Sequence, residues 1–353
     1  MRGDLGVSDR PTIYAVAKRC GVSTTTVSRV MQDESFGSAR TRQLVLRVAS
    51  ELGWVPNGAA QGLASRRAGI VGLLFPDLGL PAAAEEESPL YVDQVIRGAE
   101  RTAASMGQAV LIAAVKASGG KSLAHSVAGK VDGLVIMSRS LSDKEIATIS
   151  KTVPVVLLAN KPGSRSYDQV SVDNRTGVRD VTSHLIDRHS YTSLAFVAGP
   201  HGSPDSAERF LGFCEAMQTA GLPVPEVPAA EGNFTEVGGK QAMRHLLQQG
   251  EVPRAIVFGN DEMAIGALTV LQDSSLRVPE DVAITGFDDI AVARHLHPPL
   301  TTVKQPMREL GEQAVSLLFA RLQEPRSSRK SVYLSTELVV RASCGCQPPR
   351  TNQ

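Results

Sequence analysis

The spacing of apolar residues changes once along the chain, from a helical period near the N-terminus to strand-like runs after residue 67. The first stripe recurs at i, i+3, i+4 and i+7, at Ile13, Val16, Ala17 and Cys20. Gly21 follows, at the position where a left-handed residue commonly ends a helix. This pattern predicts a helix of about two turns that buries one face.

A second helix is predicted directly after this stop, with Val27, Val30 and Met31 on its inner face. Its cap is Ser23, and its outer face carries short polar side chains, namely Thr24, Thr25, Thr26, Ser28 and Arg29. Such a face suits the major groove of DNA, where arginine binds guanine and hydroxyl groups contact bases or phosphates. The alternative interpretation is a small helical hairpin with a solvated polar face.

Two further signals complete a three-helix unit. Thr12 is placed to cap the first helix, and Ser38 begins a third helical stripe that ends at Gly53. Because three helices of this size bury little surface, we expect the unit to be marginally stable alone.

The next segment, residues 57–67, is polar and short-sided apart from Leu63. Pro56 separates it from the third helix. Gly58 and Gly62 together cost about 2 kcal/mol relative to alanine in a helix. The sequence therefore predicts a linker that is disordered without a partner.

Continuous apolar runs alternate with helical patterns from Ala68 onward. Runs of this kind, apolar at every position rather than at alternate positions, indicate strands buried on both faces of parallel sheets. Seven are clear, at residues 70–75, 109–115, 131–137, 153–159, 193–199, 255–259 and 282–287, and weaker runs lie at 170–172 and 332–340. So many strands fit two doubly wound α/β lobes better than one sheet.

Charge is distributed unevenly over the 353 residues. Residues 1–67 carry 10 Lys and Arg against 5 Asp and Glu, a net +5, and the remainder carries 27 against 31, a net −4. A basic head on a mildly acidic body is typical of a chain that binds phosphates at one end. A transit peptide is the alternative, but this head contains acidic residues and a capped helical pattern. With no membrane-length apolar run and no signal-peptide core, we expect a cytoplasmic protein.

Four cysteines are spread over three regions, and only Cys344 and Cys346 are close in sequence. A Cys-x-Cys pair alone is two ligands short of a structural zinc site. Free thiols are the expected state, and we expect no metal and no cofactor.

The N-terminal residues resemble the lactose/purine repressor (LacI) family. The resemblance rests on IYAVAKRCGVSTTTVSRVM, the Thr-Arg at 41–42, LGWVPN at 52–57 and Ala-x-x-Leu-Ala in the linker. In that family the linker folds into a hinge helix on DNA and its leucine enters the minor groove, which implies that role for Leu63. A linker leucine that packs on the body is the alternative, and Gly58 and Gly62 depart from the usual hinge. The resemblance implies DNA contacts from Thr12, Ser23, Thr24, Thr25, Thr26, Ser28, Arg29, Asn57, Ala60 and Leu63.

The resemblance also implies a domain plan. We expect a helix-turn-helix domain at 1–56, a hinge at 57–67, a core at 68–346 and a tail at 347–353. The core is expected to have two lobes like those of periplasmic sugar-binding proteins. The N-lobe comprises about 68–170 and 291–325, and the C-lobe about 171–290 and 326–346.

Ligands of open α/β lobes bind at the carboxyl ends of the strands, so polar residues just after the apolar runs are candidates. By resemblance, the sugar-binding positions are Arg209, Asn260 and Asp288, with Phe234 as a stacking ring and Tyr91 and Asn160 as further contacts. A guanidinium, an amide and a carboxylate can together bind neighbouring hydroxyls. The alternatives are a solvated Arg209, a helix-terminal Asp261 and a chain-turning Asp288.

These features predict an effector-responsive, DNA-binding transcriptional regulator, most often a repressor in this family. We expect a homodimer that reads an inverted repeat in double-stranded DNA and binds a small effector, a sugar or related metabolite. One alternative is a sugar-binding module without a regulatory role. Another is an enzyme built around His201 and Ser203 in GPHGSPDS, but this segment lacks the G-x-S-x-G motif, and we expect no catalytic residues.

Overall fold

The computed structural model describes residues 11–32, 35–55, 67–77, 90–116, 121–159, 166–250 and 252–347. The chain divides into two compact units between Gly69 and Ile70. Within the described ranges, no helix has the length and apolar content needed to cross a bilayer.

The first unit contains the three predicted helices, α1 (Ile13–Cys20), α2 (Thr24–Gln32) and α3 (Ala39–Glu51). Thr12 and Ser38 cap α1 and α3 through their hydroxyl groups, and Gly21 ends α1 in the left-handed region with φ 68°. One small core holds the helices together, made of Val16, Ala17, Val27, Val30, Val45, Val48 and Ala49.

The second unit is built on two parallel sheets, which confirms the predicted α/β architecture. Sheet one has six strands in the order β11-β5-β4-β3-β1-β2. Its strands are β1 (Ile70–Pro76), β2 (Ala109–Val115), β3 (Gly133–Met137), β4 (Val155–Leu158), β5 (Asp168–Val172) and β11 (Ser331–Leu334). The helices of this lobe are α4 (Leu90–Ser105), α5 (Lys121–Ala128), α6 (Asp143–Ile149) and α11 (Met307–Gln323).

Sheet two has four parallel strands in the order β7-β6-β8-β9. They are β6 (Leu194–Ala198), β7 (Ala230–Glu231), β8 (Ala255–Phe258) and β9 (Ala283–Thr285). Its helices are α7 (Asn174–His189), α8 (Pro204–Thr219), α9 (Glu236–Gln248) and α10 (Asp261–Asp273), followed by a 3₁₀ helix (Ala291–His295). A separate antiparallel pair joins β10 (Thr302–Lys304) to β12 (Glu337–Val339).

Two of the expected lobe boundaries are wrong. Thr301 and Lys304 bridge to Thr285 and Asp288 beside sheet two, so the chain returns to the first lobe only after residue 304, not near 290. The apolar run at 332–340 is not one strand, because β11 pairs with β5 in sheet one and β12 pairs with β10. The last crossing therefore follows Leu334 rather than Pro325.

Strand β2 also departs from the expected burial on both faces. It is the outer strand of sheet one, and Ile112 in its middle is 50% exposed. Apolar continuity in the sequence identified this strand correctly but did not distinguish an edge strand from a central one.

A buried ion pair ties α11 to sheet one. The Arg321 guanidinium donates to both carboxylate oxygens of Asp168, from Nε at 2.7 Å and from Nη2 at 2.9 Å. The Lys330 N–H adds a third hydrogen bond at 2.8 Å to the same carboxylate. Burial alone would raise the pKa of Asp168, but these donors and the nearby arginines hold it below its ordinary value.

Candidate functional site

Helix α2 presents the predicted polar face. Ser23 caps it by accepting the Thr26 N–H at 3.1 Å, and Val27 and Val30 are buried beneath it. Thr25 and Arg29 are exposed, whereas Thr24 and Ser28 are half-buried. The exposed pair is therefore freest to reach a groove.

The side chains next to this face differ in their freedom. The Thr26 hydroxyl lies 2.9 Å from the Ser23 hydroxyl, so each already has a partner within the cap. The Arg29 guanidinium lies 5.3 Å from the centroid of the Phe36 ring, a cation–π contact that orients it. Thr12 is exposed, and its hydroxyl accepts the Ala15 N–H at 3.4 Å.

Tyr14 was not predicted from the sequence as part of this surface. It lies on α1 and is 74% exposed, which is unusual for an aromatic side chain. Its place between the apolar positions Ile13 and Val16 indicated an outward direction, so helical periodicity could have identified it. Asn57, Ala60 and Leu63 of the expected hinge lie outside the described residues.

The second candidate site is a buried polar cluster around Arg209, on α8 at the carboxyl end of sheet two. Its Nε donates to Asn174 Oδ1 at 2.7 Å, and its Nη1 donates to the Gly259 carbonyl at 2.6 Å. The Asn174 amide in turn donates to Asp205 Oδ1 at 2.8 Å. Arg209 is only 4% exposed, which contradicts the alternative that it lies on a solvated helix face.

Asp288 completes the charge pattern of this cluster. Its Oδ1 lies 3.9 Å from Arg209 Nη1, beyond hydrogen-bond distance, and it accepts a hydrogen bond from Gln305. Burial raises the pKa of Asp288 to about 7, although Arg209 and Gln305 act in the opposite direction. Its φ of 120° shows that it also turns the chain after β9.

A second carboxylate faces the same arginine. Burial raises the pKa of Asp205, and the opposing effects of Arg209 and the Asn174 hydrogen bond do not cancel this. The cluster thus combines one guanidinium and an amide with two carboxyl groups that are costly to ionise.

Aromatic rings line the same site. The Arg209 guanidinium lies 3.7 Å from the Phe287 ring centroid and 5.6 Å from that of Phe234. Burial raises the pKa of Tyr91 on α4, and the charges of Asp205 and Asp288 raise it further, so its hydroxyl stays protonated. The first lobe thus brings a protonated phenol hydroxyl near the charges of a site built mainly by the second.

Asn260 was expected to contact the effector, but its side chain forms hydrogen bonds within the protein. It caps α10, where its Oδ1 accepts the Met263 N–H at 3.1 Å, and its amide donates to the Phe234 carbonyl at 3.0 Å. Both polar ends of the side chain are thus engaged in holding the loop that carries Phe234. Asp261, the first residue of α10, is buried, and it accepts hydrogen bonds from the Thr302 hydroxyl and the Ile290 N–H.

A cavity of about 620 Å³ shares Asp288 with this cluster. Gln305, Met307 and Arg308, from the segment that returns to the first lobe, form part of its wall. This volume lies within the range of small-molecule sites. The predicted contact Asn160 falls outside the described residues.

Sequence reasoning missed Asn174 and Asp205. Asn174 comes two residues after β5, so the rule that ligands bind just beyond strand ends covers it. Asp205 lies in GPHGSPDS, the segment on which the enzyme alternative rests. That alternative finds no support, because the Ser203 hydroxyl caps α8 by accepting the Ser206 N–H, and the His201 side chain is 94% exposed.

Comparison with known proteins agrees with both halves of the chain. Residues 12–57 match the family described as bacterial regulatory proteins, lacI family, and residues 182–344 match the periplasmic binding protein-like domain. Catabolite control protein A of Priestia megaterium is 34% identical over 312 residues, which cover 87% of this chain and 91% of that protein.

Two solved structures extend the match. The complex of the transcriptional regulator CelR with cellobiose is 33% identical and covers 95% of this chain and 100% of its own, with a TM-score of 0.70. The Lac repressor dimer bound to operator and the anti-inducer ONPF is 29% identical and covers 95% of this chain and 99% of its own, with a TM-score of 0.81. The chain therefore belongs to the LacI family of bacterial transcriptional regulators.

Proposed function

We propose that this regulator is a repressor whose affinity for an inverted-repeat operator changes when a small polyhydroxylated metabolite, such as a sugar, binds beside Arg209. The observation that carries the proposal is the buried cluster of Arg209, Asn174, Asp205 and Asp288 at the carboxyl end of sheet two. Such a concentration of buried polar groups is costly for folding, and a ligand that binds them recovers part of the cost.

The cluster suits hydroxyl groups in particular. A guanidinium and the Tyr91 hydroxyl supply donors, and the carboxyl oxygens of Asp205 and Asp288 accept hydrogen bonds from neighbouring hydroxyls. The Phe234 ring supplies an apolar face for the carbon side of a sugar ring. The cellobiose named in the CelR complex supports the sugar class for this chain.

At the other end of the chain, we propose that Thr24, Thr25, Ser28 and Arg29 read base edges. The family's placement of such a helix in the major groove supports this assignment. Thr12, Ser23 and Thr26, whose hydroxyls belong to helix caps, then contact phosphates or sugars near the helix ends.

The hinge residues Asn57, Ala60 and Leu63 are assigned by the same proposal to the minor groove, with Leu63 as the wedge. The Lac repressor dimer bound to operator supports a homodimer on operator DNA here too. We assign no catalytic step to the core, because Ser203 caps a helix and the cluster fits recognition.

A thermal-shift screen of sugars, sugar phosphates and purines on the full chain tests the effector class. A bound ligand at one hundred times its Kd stabilises the protein by about 2.7 kcal/mol. The ligand found should change operator binding in a gel-shift assay. The Arg209→Ala variant should bind operator yet ignore the ligand, and Arg175→Ala, which removes an exposed arginine on α7, should respond normally. A ligand response that survives in Arg209→Ala would contradict the proposed site.

A further inference from the structure

A second cluster of reactive side chains lies on the C-lobe and is not used by the cleft around Arg209. His184 and His189 come from the end of α7, and Cys344 and Cys346 come from the turn after β12. One ligand atom from each of the four residues lies within 4.8 Å of every other. The two ligands that a Cys-x-Cys pair lacks are thus supplied by residues about 157 positions earlier.

Three nitrogen–sulfur distances in this cluster match those of tetrahedral coordination. With Zn–S near 2.3 Å and Zn–N near 2.05 Å, sulfur and nitrogen ligands of one ion are about 3.5 Å apart. His184 Nε2 lies 3.6 Å from Cys344 Sγ and 3.5 Å from Cys346 Sγ, and His189 Nε2 lies 3.4 Å from Cys346 Sγ.

Hydrogen bonding alone does not account for this convergence. A ring nitrogen either accepts one proton or donates one, so His184 Nε2 can form one strong hydrogen bond with one of the two sulfurs. Both sulfurs nevertheless lie at nearly the same distance from it. An ion at the centre of the four atoms gives every one of them a partner.

The local backbone is shaped to bring both sulfurs to one point. Gly345 has a φ of 105°, and a Cβ there would lie 2.9 Å from the Tyr191 hydroxyl oxygen. That hydroxyl donates to the Cys344 carbonyl at 3.1 Å, and the Tyr191 ring stacks on His189 with centroids 5.2 Å apart. Glycine is therefore required between the cysteines, and tyrosine orients both a histidine and the turn.

The surroundings favour the ligand forms of these groups. Arg341 N–H donates to the Thr301 hydroxyl at 2.8 Å, which leaves the hydroxyl proton to point at Cys344 Sγ, 3.2 Å away. A hydroxyl donor of this kind stabilises a thiolate and is a typical outer partner of a metal ligand.

We propose that His184, His189, Cys344 and Cys346 bind one zinc ion with a structural role. Two sulfur and two nitrogen ligands in tetrahedral positions select zinc among common metals, and two thiolates balance the charge of the ion. Four protein ligands leave no open coordination position, so the site carries out no catalysis. It fastens the C-terminal segment, through the turn at 344–346, to helix α7.

Elemental analysis of the full chain, purified without metal-affinity steps or chelators, tests the proposal. We expect about one zinc per chain, and we expect Cys346→Ser, which changes a half-buried ligand, to lose it. Cys214→Ser is the matched control, because Cys214 is also half-buried but lies on α8 away from the cluster, and it should keep the metal. Absence of zinc from the wild type, or full zinc content in Cys346→Ser, overturns the proposal.

Three further measurements distinguish a specific zinc site from loosely bound metal. Cobalt(II) should give the wild type and Cys214→Ser a sulfur-to-cobalt charge-transfer band and tetrahedral d–d absorption, and Cys346→Ser neither. A chelator should lower the melting temperature of the wild type and leave that of Cys346→Ser unchanged. Thr301→Val should weaken zinc binding about 10- to 100-fold. Zinc that a chelator removes without any change in melting temperature contradicts the structural role.

Discussion

The core contains two buried arginine–aspartate pairs that use the same residue types in opposite ways. Arg209 and Arg321 are each 4% exposed, and Asp288 and Asp168 are also buried. Arg321 holds Asp168 through two hydrogen bonds, whereas Arg209 Nη1 stays 3.9 Å from Asp288. The pKa of Asp168 lies below its ordinary value and that of Asp288 is raised to about 7.

The two aspartates differ in how many hydrogen-bond donors they receive. Asp168 receives two donors from Arg321 and one from the backbone, enough to offset its desolvation. Asp288 receives one from Gln305 and faces the carboxyl group of Asp205, so its ionised form remains poorly compensated. We therefore expect loss of Arg321 to affect mainly the fold, and the incompletely partnered pair of Arg209 and Asp288 to be available to a ligand.

The largest effect is expected from Arg321→Ala. Removing one partner of this pair leaves the Asp168 carboxylate buried without its main donors, at a cost of about 3 kcal/mol or more in unfolding free energy. Chemical denaturation of the full chain measures it. Arg329→Ala is the control, since Arg329 is more exposed and lies 3.6 Å from Asp168, and it should cost much less. Equal losses for both variants would show that Asp168 does not depend on Arg321.

Replacing Arg209 is expected to have the opposite balance of effects, a smaller loss of stability and a large loss of effector affinity. Arg209→Met should cost less stability at about pH 6 than Arg321→Ala does, because Asp288, with a pKa of about 7, binds a proton there and the main loss is that of the hydrogen bonds to Asn174 and the Gly259 carbonyl. Effector binding should weaken about 100-fold, in line with the loss of hydrogen bonds to a charged group. Calorimetric titration and denaturation of the same preparation measure the two quantities. A stability loss as large as that of Arg321→Ala would make Arg209 a structural residue.

The pairs should also respond oppositely to pH. Asp288 binds its proton more tightly in the folded state, so its contribution is present below its unfolded pKa near 4 and is lost as pH rises toward 7. Asp168 binds its proton less tightly when folded, so its contribution is present above pH 4 and is lost in acid. Denaturation as a function of pH should show Asp288→Asn removing the decline between pH 4 and 7. An unchanged profile would contradict the raised pKa.

The smallest effect is expected from an exposed pair with good geometry. Arg277 donates to both oxygens of Asp281 at 2.8 Å, and this pairing lowers the pKa of Asp281. The Arg277 side chain is 69% exposed, so water can replace it as the partner of Asp281. Arg277→Ala should leave the unfolding free energy unchanged within error in a denaturant titration. A loss comparable to that of Arg321→Ala would mean that geometry, rather than burial, sets the value of these pairs.

The sequence predicted local elements well because their causes are local. The stripe from Ile13 to Cys20 with its cap and glycine stop sufficed for α1, and unbroken apolar runs sufficed for the strands of both sheets apart from the two-residue β7 (Ala230–Glu231), for which no run was predicted. The run at 332–340 failed because its two halves pair with different partners, β5 and β10, which periodicity does not encode.

The same limit applies to the sites. Arg209 and Asp288 were assigned by resemblance, and Asn174 was within reach of the strand-end rule. The cysteine–histidine cluster was not predictable from the sequence, because His184 and Cys344 are 160 residues apart and come together only in the folded chain. Tertiary contacts, rather than local propensity, bring such residues together.

We propose that the cluster around Arg209 and helix α2 form one ligand-controlled switch. Thermodynamic reciprocity tests it directly: the factor by which the effector changes operator affinity must equal the factor by which operator changes effector affinity. Titrations of the effector into free protein and into the operator complex, beside operator titrations with and without effector, measure both factors. We expect equal factors well removed from one. An effector that binds free and operator-bound protein with the same affinity would contradict the account.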